Sequence, residues 1–250
     1  MSMVELLKWD TNFFGFSVAQ IQKEIIHEKH LDEIFSFCKK NRVKLLQFKC
    51  DAHHRPSILL AESANFHFAD VRMTLVCNLN ELDFKNTDIK EDLSFRVGSK
   101  KDIPALKDIV TDLYTHSRYY FDTNFPRDDV HGFYQNWIEK SVKSEFDDVV
   151  YVLLNKHTHI GCCSVSYNSD NKASIGLFGI DPNSSGRGFG AILIHKVLSE
   201  MHKNDVKSVS VVTQGRNYLA QKLYQRAGFC NEKMEIYYHK WFTEDEIFNL

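Results

Sequence analysis

Closely spaced glycines mark the first stretch of the chain whose residue types could bind a ligand. Residues 180–190 read Ile-Asp-Pro-Asn-Ser-Ser-Gly-Arg-Gly-Phe-Gly, between a predicted strand and an amphipathic segment. Glycine allows a ligand to approach the backbone closely, and a helix N-terminus offers unpaired N–H groups at the positive end of its dipole. These features predict a phosphate-binding turn, formed by Gly186, Arg187, Gly188, Phe189, Gly190 and Ala191.

The spacing of these glycines excludes two common phosphate-binding motifs. Gly190 follows Gly188 by two residues, so the dinucleotide-binding pattern Gly-x-Gly-x-x-Gly is absent from the sequence. No Gly-Lys-Ser/Thr follows, so the turn is not a P-loop. An ordinary tight connection between a strand and a helix remains the alternative, because glycine spacing alone does not require a ligand.

A second motif lies in residues 217–229. It consists of Asn217, Ala220, Leu223 and Tyr224, followed by Gly228-Phe229. Together with the glycine turn, and in the element order of residues 93–241, this motif resembles the GNAT (Gcn5-related N-acetyltransferase) superfamily. The resemblance implies a GNAT fold, acetyl-CoA as the cofactor and acetyl transfer to an amine. In this family the glycine loop wraps the CoA pyrophosphate, and the later helix lies along the pantetheine arm.

The resemblance implies a role for several residues of this chain. Tyr224 is expected to protonate the leaving thiolate, and Asn217 to bond the CoA arm. Backbone N–H groups at a strand end that splays from its neighbour would face the thioester carbonyl, and they belong to Phe178, Gly179 and Ile180. Ser185 departs from the family, which usually has Arg or Gln there, although Arg187 could supply charge. The structural alternatives are that Tyr224 only packs its ring and that Asn217 only caps its helix.

Acetyl transfer also needs proton movements that the sequence explains in part. The reference pKa values are about 10 for tyrosine and about 8.5 for a thiol, so protonation of the thiolate by Tyr224 is uphill by roughly 2 kcal/mol. Fixed positioning must offset this cost. No general base stands out, and His116, Asp122 and His131 are lesser candidates. A water chain is the alternative, because a sugar amine is less basic than lysine.

The acceptor is indicated by a narrower resemblance. Residues 8–15 (Lys-Trp-Asp-Thr-Asn-Phe-Phe-Gly), 117–121 and 133–138, together with Thr213-Gln214, are similar to GNAT enzymes that acetylate dTDP-linked amino-dideoxy sugars for surface polysaccharides. Arginine suits phosphate and tyrosine suits stacking on a sugar or base. The expected acceptor residues are Arg118, Tyr119, Tyr120 and Arg127. The alternative is an exposed aromatic loop that docks on the N-terminal domain.

The elements that must position these residues follow from hydrophobic periodicity. Residues 17–79 alternate strand and helix patterns in the order β-α-β-α-β, which predicts a smaller N-terminal α/β domain over residues 1–90. Residues 91–250 are predicted to form the GNAT domain, an α/β fold with a mixed sheet. In it, Ser99 and Asp102 are typical of a helix start, and strands are expected at 149–154, 159–167 and 173–180. The stretch 114–134 is polar and aromatic, and a helix is expected through Trp137 and Ile138.

Composition excludes several function classes. The formal net charge is −2, so nucleic acid is not an expected partner. We find no signal peptide and no membrane-length apolar segment, and the cysteines lack metal-binding spacing. These features predict a cytoplasmic enzyme without a metal, whose partner is a small nucleotide-sugar substrate. A homodimer remains open, as do two other functions: acetylation of a protein N-terminus, amino acid or other small amine, and a non-catalytic CoA-binding module.

Overall fold

The computed structural model describes residues 2–84, 92–243 and 245–246. The chain divides into two compact units, the first comprising Met1–Arg72 with Met234–Leu250 and the second comprising Met73–Lys233. The predicted domain boundary at residues 90 and 91 lies outside the described residues. The last segment of the chain thus belongs to the first unit, although the sequence pattern grouped it with the second.

The described elements follow one another in a mixed α/β order. The strands are β1 Val4–Leu6, β2 Val18–Ile21, β3 Leu45–Asp51, β4 His67–Asn78, β5 Leu93–Val97, β6 Val149–Asn155, β7 Thr158–Asn168, β8 Lys172–Ile180, β9 Ser208–Gln214 and β10 Cys230–Trp241. The helices are α1 Lys8–Phe14, α2 Leu31–Lys40, α3 Arg55–Ser63, α4 Ile103–Thr111, α5 Arg118–Phe121, α6 Arg127–Val142, α7 Phe189–Lys203 and α8 Tyr218–Arg226.

The first unit has a mixed sheet with the strand order β1-β2-β3-β10. β2 and β3 run parallel, whereas β10 runs antiparallel to β3 with Ile236 opposite Cys50 and Tyr238 opposite Phe48. Because side chains alternate faces along a strand, Phe48 and Tyr238 reach the same apolar core, where Ile34 of α2 is also buried. The predicted order of strands and helices is therefore present, with β10 added from the end of the chain.

The second unit has the strand order β4-β9-β8-β7-β6-β5. β8 and β9 run parallel, and β5 to β8 form an antiparallel series. The tight turns after β6 and β7 use the left-handed conformation at Lys156 and at Asp170 and Asn171, as expected for short hairpins. The three predicted central strands and both hairpins are confirmed.

Helices cover both faces of the second unit's sheet. Cys163 of β7 lies in the core with Leu193 and Val197 of α7. Its neighbour Cys162 pairs with Gly179, and a Cβ on Gly179 would lie 2.3 Å from Leu113 Cδ1, just beyond α4. Neighbouring residues of a strand point to opposite faces, so α4 packs on the face opposite α7. A glycine at position 179 lets the chain after α4 approach β8 closely.

The aromatic stretch 114–134 is more helical than its sequence pattern indicated. Ser117 caps α5, since its side chain accepts a hydrogen bond from the Tyr120 N–H. α6 begins at Arg127, directly after Pro126, and carries Asp128 and Asp129 in its first turn. Acidic side chains there favour a helix start through the helix dipole, so α6 begins well before the predicted Trp137 segment.

A buried carboxylate fixes the start of α4. Asp102 accepts hydrogen bonds from Arg96 Nη2 at 2.7 Å and from the Ser99 N–H at 2.7 Å, and it lies 2.6 Å from His159 Nε2. The Arg96 guanidinium holds the pKa of Asp102 well below its usual range. The predicted cap formed by Ser99 and Asp102 is confirmed.

Asp102→Asn should therefore destabilise the fold. Losing a hydrogen bond to a charged group should lower the free energy of unfolding by about 1.5–3 kcal/mol. Because the folded-state pKa is depressed, this stability is present above about pH 4 and is lost as the pH falls below it. Urea unfolding at pH 7 and pH 3.5 measures it, with exposed Asp108→Asn on the same helix as the control. Equal unfolding midpoints for the two variants at pH 7 would contradict the prediction.

Candidate active site

The parallel strands β8 and β9 pair over only part of their length. Their register runs from Lys172 opposite Ser208 to Ile175 opposite Val211, and no described pair follows. The Leu177 N–H donates to Ser164 Oγ on the β7 side at 2.7 Å. Successive peptide groups alternate sides along a strand, so the N–H and C=O of Phe178 face the side of β9. The strand end around Phe178, Gly179 and Ile180 is thus splayed from β9, as the resemblance implies.

Tyr114 occupies the unpaired edge of β8. Its hydroxyl donates to the Phe178 carbonyl oxygen at 3.3 Å. Its ring stacks on Tyr134 of α6, with centroids 4.2 Å apart and an interplanar angle of 15°. The sequence did not single out Tyr114 as a site residue. Tyr114 stands at the start of an aromatic stretch that has no periodicity, so the sequence does not show which of its rings reaches the sheet.

The glycine turn leaves the N-terminus of α7 open. Gly186 and Gly188 have φ values of +74° and +83°, and a Cβ at either position would meet nothing within 4 Å. Gly188 is the N-cap of α7, and no side chain caps the helix. Ser184 is held below the turn by a 3.1 Å hydrogen bond from its Oγ to Asp181 Oδ2. The N–H groups of the first turn can therefore donate to an anion.

Neighbouring residues give the turn its charge and its support. Arg187 is exposed and lies 5.0 Å from the centre of the Phe189 ring. A Cβ on Gly190 would lie 3.6 Å from Leu223 of α8 and 3.7 Å from Ile180, and Ala191 is exposed beside it. Six of the predicted cofactor-binding residues, Gly186 to Ala191, thus form one turn that adjoins the splayed end of β8.

Asn217 caps the helix that carries Tyr224. Its Oδ1 accepts a hydrogen bond from the Ala220 N–H at 3.1 Å. Within the described residues, no group accepts a hydrogen bond from the Asn217 side-chain amide. Asn217 therefore fulfils the capping role, and its amide hydrogens remain available to a ligand.

Tyr224 is buried beside the splayed strand. Its ring meets Phe178 edge-on at 6.0 Å and Phe229 at 5.6 Å. Burial raises the pKa of Tyr224, and the nearby Cys163 thiol raises this pKa further. The phenol is therefore protonated at neutral pH. In the part of the chain that the structure describes, nothing hydrogen-bonds its hydroxyl.

Three of the predicted acceptor residues, Arg118, Tyr119 and Tyr120, lie in α5, and the fourth, Arg127, begins α6. Arg118 Nη2 donates to the Tyr119 hydroxyl at 2.6 Å, and Arg127 donates to the Tyr120 carbonyl oxygen while its guanidinium lies 3.9 Å from the Tyr120 ring. Tyr119 is buried against Phe125 and Phe133, so its ring supports α5. Tyr120 is only partly buried and Arg127 is exposed.

Arg216 joins this region to the loop before α8. Its guanidinium lies 3.9 Å from the centre of the half-exposed Phe121 ring. Sequence reasoning missed Arg216, although an arginine directly before Asn217 offered a signal. This contact places a third arginine beside α5, in addition to Arg118 and Arg127. Arg216 itself follows the carboxyl end of β9.

The lesser base candidates lie around α5 and the start of α6. His116 is exposed, Asp122 accepts hydrogen bonds from the Asn124 backbone and side chain, and His131 Nε2 lies 3.7 Å from Asp112. None of these contacts gives a described base at the splayed end of β8. Among the described residues, no group of His, Cys, Asp and Glu is arranged to hold a metal ion.

A comparison with protein-family models identifies the domain that carries this site. Residues 107–229 match the acetyltransferase (GNAT) family. The chain contains a GNAT acetyltransferase domain. The matched residues include the glycine turn, the splayed strands and Tyr224, which are the features that the sequence resemblance used. The predicted family, the enzyme class and the mixed α/β fold class are therefore confirmed.

Two curated proteins are similar in sequence to this chain. It is 27% identical over 227 residues to dTDP-fucosamine acetyltransferase of Escherichia coli O6:H1, covering 90% of this chain and 92% of the relative. It is 24% identical over 140 residues to the spore coat polysaccharide biosynthesis protein SpsD of Bacillus subtilis, covering 56% of this chain and 48% of that protein. The chain thus spans about half the length of SpsD and nearly all of the other relative.

A solved structure shares the fold of this chain. The GCN5-related N-acetyltransferase from Sphaerobacter thermophilus matches 95% of this chain and 76% of its own, with a TM-score of 0.64 and 13% identity. At that identity the likeness concerns the fold alone.

No helix in the described ranges is long and apolar enough to cross a membrane.

A groove in the first unit does not contain any of these site residues. Its volume is about 770 Å³, and it is lined by residues 26–29 together with Pro56, Leu59, Leu60 and Ser63. The predicted cofactor residues lie instead at the open turn of α7 and at the end of β8.

Proposed function

We propose that the protein transfers the acetyl group of acetyl-CoA to the amine of a nucleotide-linked amino-dideoxy sugar. The observation that carries this proposal is the open end of β8 beside the uncapped N-terminus of α7, with the buried Tyr224 against Phe178. The amino-sugar acceptor is supported by the relative named dTDP-fucosamine acetyltransferase, of which the chain covers 92%. The name of the second relative supports a place in surface polysaccharide biosynthesis.

The residues present fit acetyl-CoA. The N–H groups from Gly186 to Ala191 would bind the pyrophosphate, because Gly186 and Gly188 leave open space within 4 Å where a Cβ would stand and no side chain caps the helix. The N–H groups of Phe178 and Ile180, which alternate with those facing β7, would hold the thioester carbonyl, and the Asn217 amide would bond the pantetheine arm. Acetyl-CoA supplies the activated acyl group, and these residues orient it.

The reaction would proceed by direct attack. The amine nitrogen would form a bond to the acetyl carbon, the bond from that carbon to sulfur would break, and Tyr224 would give its hydroxyl proton to the sulfur and regain a proton from solvent before the next turnover. Backbone N–H donors at the strand end would stabilise the negative charge that develops on the acetyl oxygen during this attack. The proton lost by the amine would go to solvent through water, since the described contacts of the base candidates Asp122 and His131 lie around α5 and α6.

The buried environment affects both partners in the final proton transfer. Burial raises the pKa of Tyr224, which taken alone makes the phenol a poorer acid. The same desolvation also disfavours the thiolate anion, so its pKa rises too. The proton transfer therefore remains feasible when the sulfur leaves beside the Phe178 and Tyr224 rings.

The acceptor's diphosphate would bind near α5. Arg118 and Arg127 would supply charge, and Tyr120 offers a partly exposed ring. The buried Tyr119 ring would hold α5 in place. Guanidinium groups bind phosphate oxygens bidentately. Arg216, stacked on Phe121, adds a further cation on this side of the domain.

Arg118→Ala and Arg127→Ala should raise the KM of the acceptor more than the KM of acetyl-CoA. Each lost charged hydrogen bond is worth about 1.5–3 kcal/mol, which corresponds to roughly 10- to 150-fold. Steady-state kinetics with each substrate varied in turn measures the two constants. Arg55→Ala, an exposed arginine of the first unit, is the matched control. Equal effects on both substrates, or none on either, would remove these arginines from the acceptor site.

The experiment that tests the function is a screen of acceptors. Thiol release from acetyl-CoA is followed with a panel of nucleotide-linked amino sugars, free amino sugars, amino acids and peptides with free N-termini. The proposal expects release that depends on the nucleotide-linked amino sugars. Release with peptides or small amines alone would assign a different acceptor, and binding of acetyl-CoA without release in any case would indicate a non-catalytic module.

We also propose that this reaction takes place in the cytoplasm. The six cysteines are free, and five of them are buried. Free thiols persist in reducing compartments. A homodimer and the absence of a nucleic-acid partner stay predictions from the sequence.

A further inference from the structure

A partly buried tyrosine outside the predicted site marks the splayed end of β8. Tyr114 donates its hydroxyl proton to the Phe178 carbonyl oxygen at 3.3 Å. A backbone carbonyl at an unpaired strand edge usually bonds water or a neighbouring strand, whereas here a side chain takes that place. Tyr114 thus lies where β9 has left β8, on the edge that the thioester would approach.

The surroundings fix the position of this hydroxyl. The Tyr114 ring stacks on Tyr134 at 4.2 Å, and Leu113 beside it packs against Gly179. Gln135 of α6 donates to Thr111 Oγ1 at the end of α4 at 2.7 Å, so α4 and α6 hold the connecting chain from both sides. A ring with two fixed neighbours and one fixed hydrogen bond loses little further freedom when a ligand binds.

The hydroxyl has bonding capacity left after it donates to Phe178. A phenolic oxygen has one proton to give and lone pairs that accept. An acceptor amine that approaches a thioester held at Phe178 carries N–H donors, and it needs its own lone pair directed at the acetyl carbon. An oxygen that accepts one of those N–H groups would orient the nitrogen.

We propose that Tyr114 orients the acceptor amine: its oxygen accepts a hydrogen bond from the amine N–H while its own O–H continues to donate to the Phe178 carbonyl oxygen. This inference rests on the proposed acetyl transfer, and it assigns the residue that meets the nucleophile. Tyr114 forms no covalent bond and takes no proton, so the amine enters in its neutral form and its proton leaves through solvent.

The protonation of Tyr114 agrees with an orienting role. Burial raises the pKa of Tyr114 well above its usual range, and the nearby Cys162, Tyr224 and Tyr134 raise it further. The hydrogen bond to Phe178 lowers this pKa, but it does not outweigh burial. The phenol therefore cannot serve as a general base near neutral pH, and its contribution comes from geometry.

Tyr114→Phe tests this assignment, because it keeps the ring that stacks on Tyr134 and removes only the hydroxyl. Loss of orientation should lower kcat/KM for the amine acceptor roughly 10- to 100-fold, the range expected when a reacting group is misplaced by about 1 Å. The Kd of acetyl-CoA, measured by calorimetry, should change less than about twofold, as should the slow hydrolysis of acetyl-CoA without an acceptor. Tyr151→Phe, which removes a hydroxyl that lies 3.2 Å from the Tyr167 hydroxyl, is the matched control.

Two results would overturn the assignment. An unchanged kcat/KM for the acceptor would show that the hydroxyl does not meet the amine. An equal loss in acceptor turnover, acetyl-CoA affinity and acceptor-free hydrolysis would show that Tyr114 only shapes β8. If no nucleotide-linked sugar is acetylated, the proposed acceptor fails, and the same comparison is made with whichever amine the panel identifies.

Discussion

Tyr224→Phe should lower kcat for acetyl transfer by about 10²–10⁴-fold, the usual contribution of general acid catalysis. The substitution keeps the ring contacts with Phe178 and Phe229 and removes only the hydroxyl proton. No described group bonds that hydroxyl, so the fold loses no hydrogen bond. Acetyl-CoA affinity and the melting temperature should therefore stay close to those of the wild type.

The measurement that isolates this effect is the single-turnover rate of thiol release at saturating acetyl-CoA and acceptor. The loss should shrink with an acyl donor whose thiol leaves more easily, because such a thiolate needs less protonation. Tyr238→Phe is a suitable control, since Tyr238 is a buried tyrosine of the first unit whose pKa is likewise raised by burial, to about 12.

A Tyr224→Phe rate within about threefold of the wild type would refute the general-acid role, given the expected range. Tyr224 would then be a packing residue of the core between β8 and α8, and water would be the proton source. A large loss that is independent of the donor's leaving group would also contradict proton transfer to sulfur.

The features of the site that the sequence predicted are local ones. The turn from Gly186 to Gly190 and the helix with Asn217 and Tyr224 are each set by a few consecutive residues, whose backbone requirements are visible in their types. Gly186 and Gly188 indeed adopt the positive φ that side chains disfavour. The cap formed by Ser99 and Asp102 was predictable for the same reason, because both partners lie within one turn.

The features that the sequence could not predict depend on contacts between distant segments. Tyr114 reaches Phe178, 64 positions further along the chain. Arg216, in the loop before α8, stacks on Phe121 of α5. Residues 114–134 contain many aromatic side chains, so periodicity does not show which ring is buried, which supports a helix and which meets a ligand.

The pairing of the last strand was also beyond local patterns. Residues 234–241 read as an ordinary strand, and their place after the Tyr224 helix assigned them to the GNAT domain. In the structure β10 pairs with β3 over seven registered residues, from Glu235 opposite Asp51 to Trp241 opposite Leu45. Register of this kind depends on which apolar faces match across the sheet, and sequence order does not show it.

Gly188→Val should weaken acetyl-CoA binding strongly, with roughly a 10- to 150-fold rise in Kd for each charged hydrogen bond lost. Gly188 stands at the N-cap of α7 with a φ of +83° and open space above its Cα. A branched side chain would fill the space assigned to the pyrophosphate. It would also strain the backbone by about 1–2 kcal/mol, because L-residues disfavour this conformation. Calorimetric titration with acetyl-CoA measures the change.

The control must separate lost binding from backbone strain. Gly15 ends α1 in the first unit with a φ of +72°, and a Cβ there would also meet nothing within 4 Å. Gly15→Val should therefore lower the melting temperature about as much as Gly188→Val while leaving the Kd of acetyl-CoA unchanged. If both variants bind acetyl-CoA like the wild type, the pyrophosphate does not bind at the N-terminus of α7. If both lose affinity equally, strain alone accounts for the loss. Only a loss confined to Gly188→Val supports phosphate binding by the backbone of this turn.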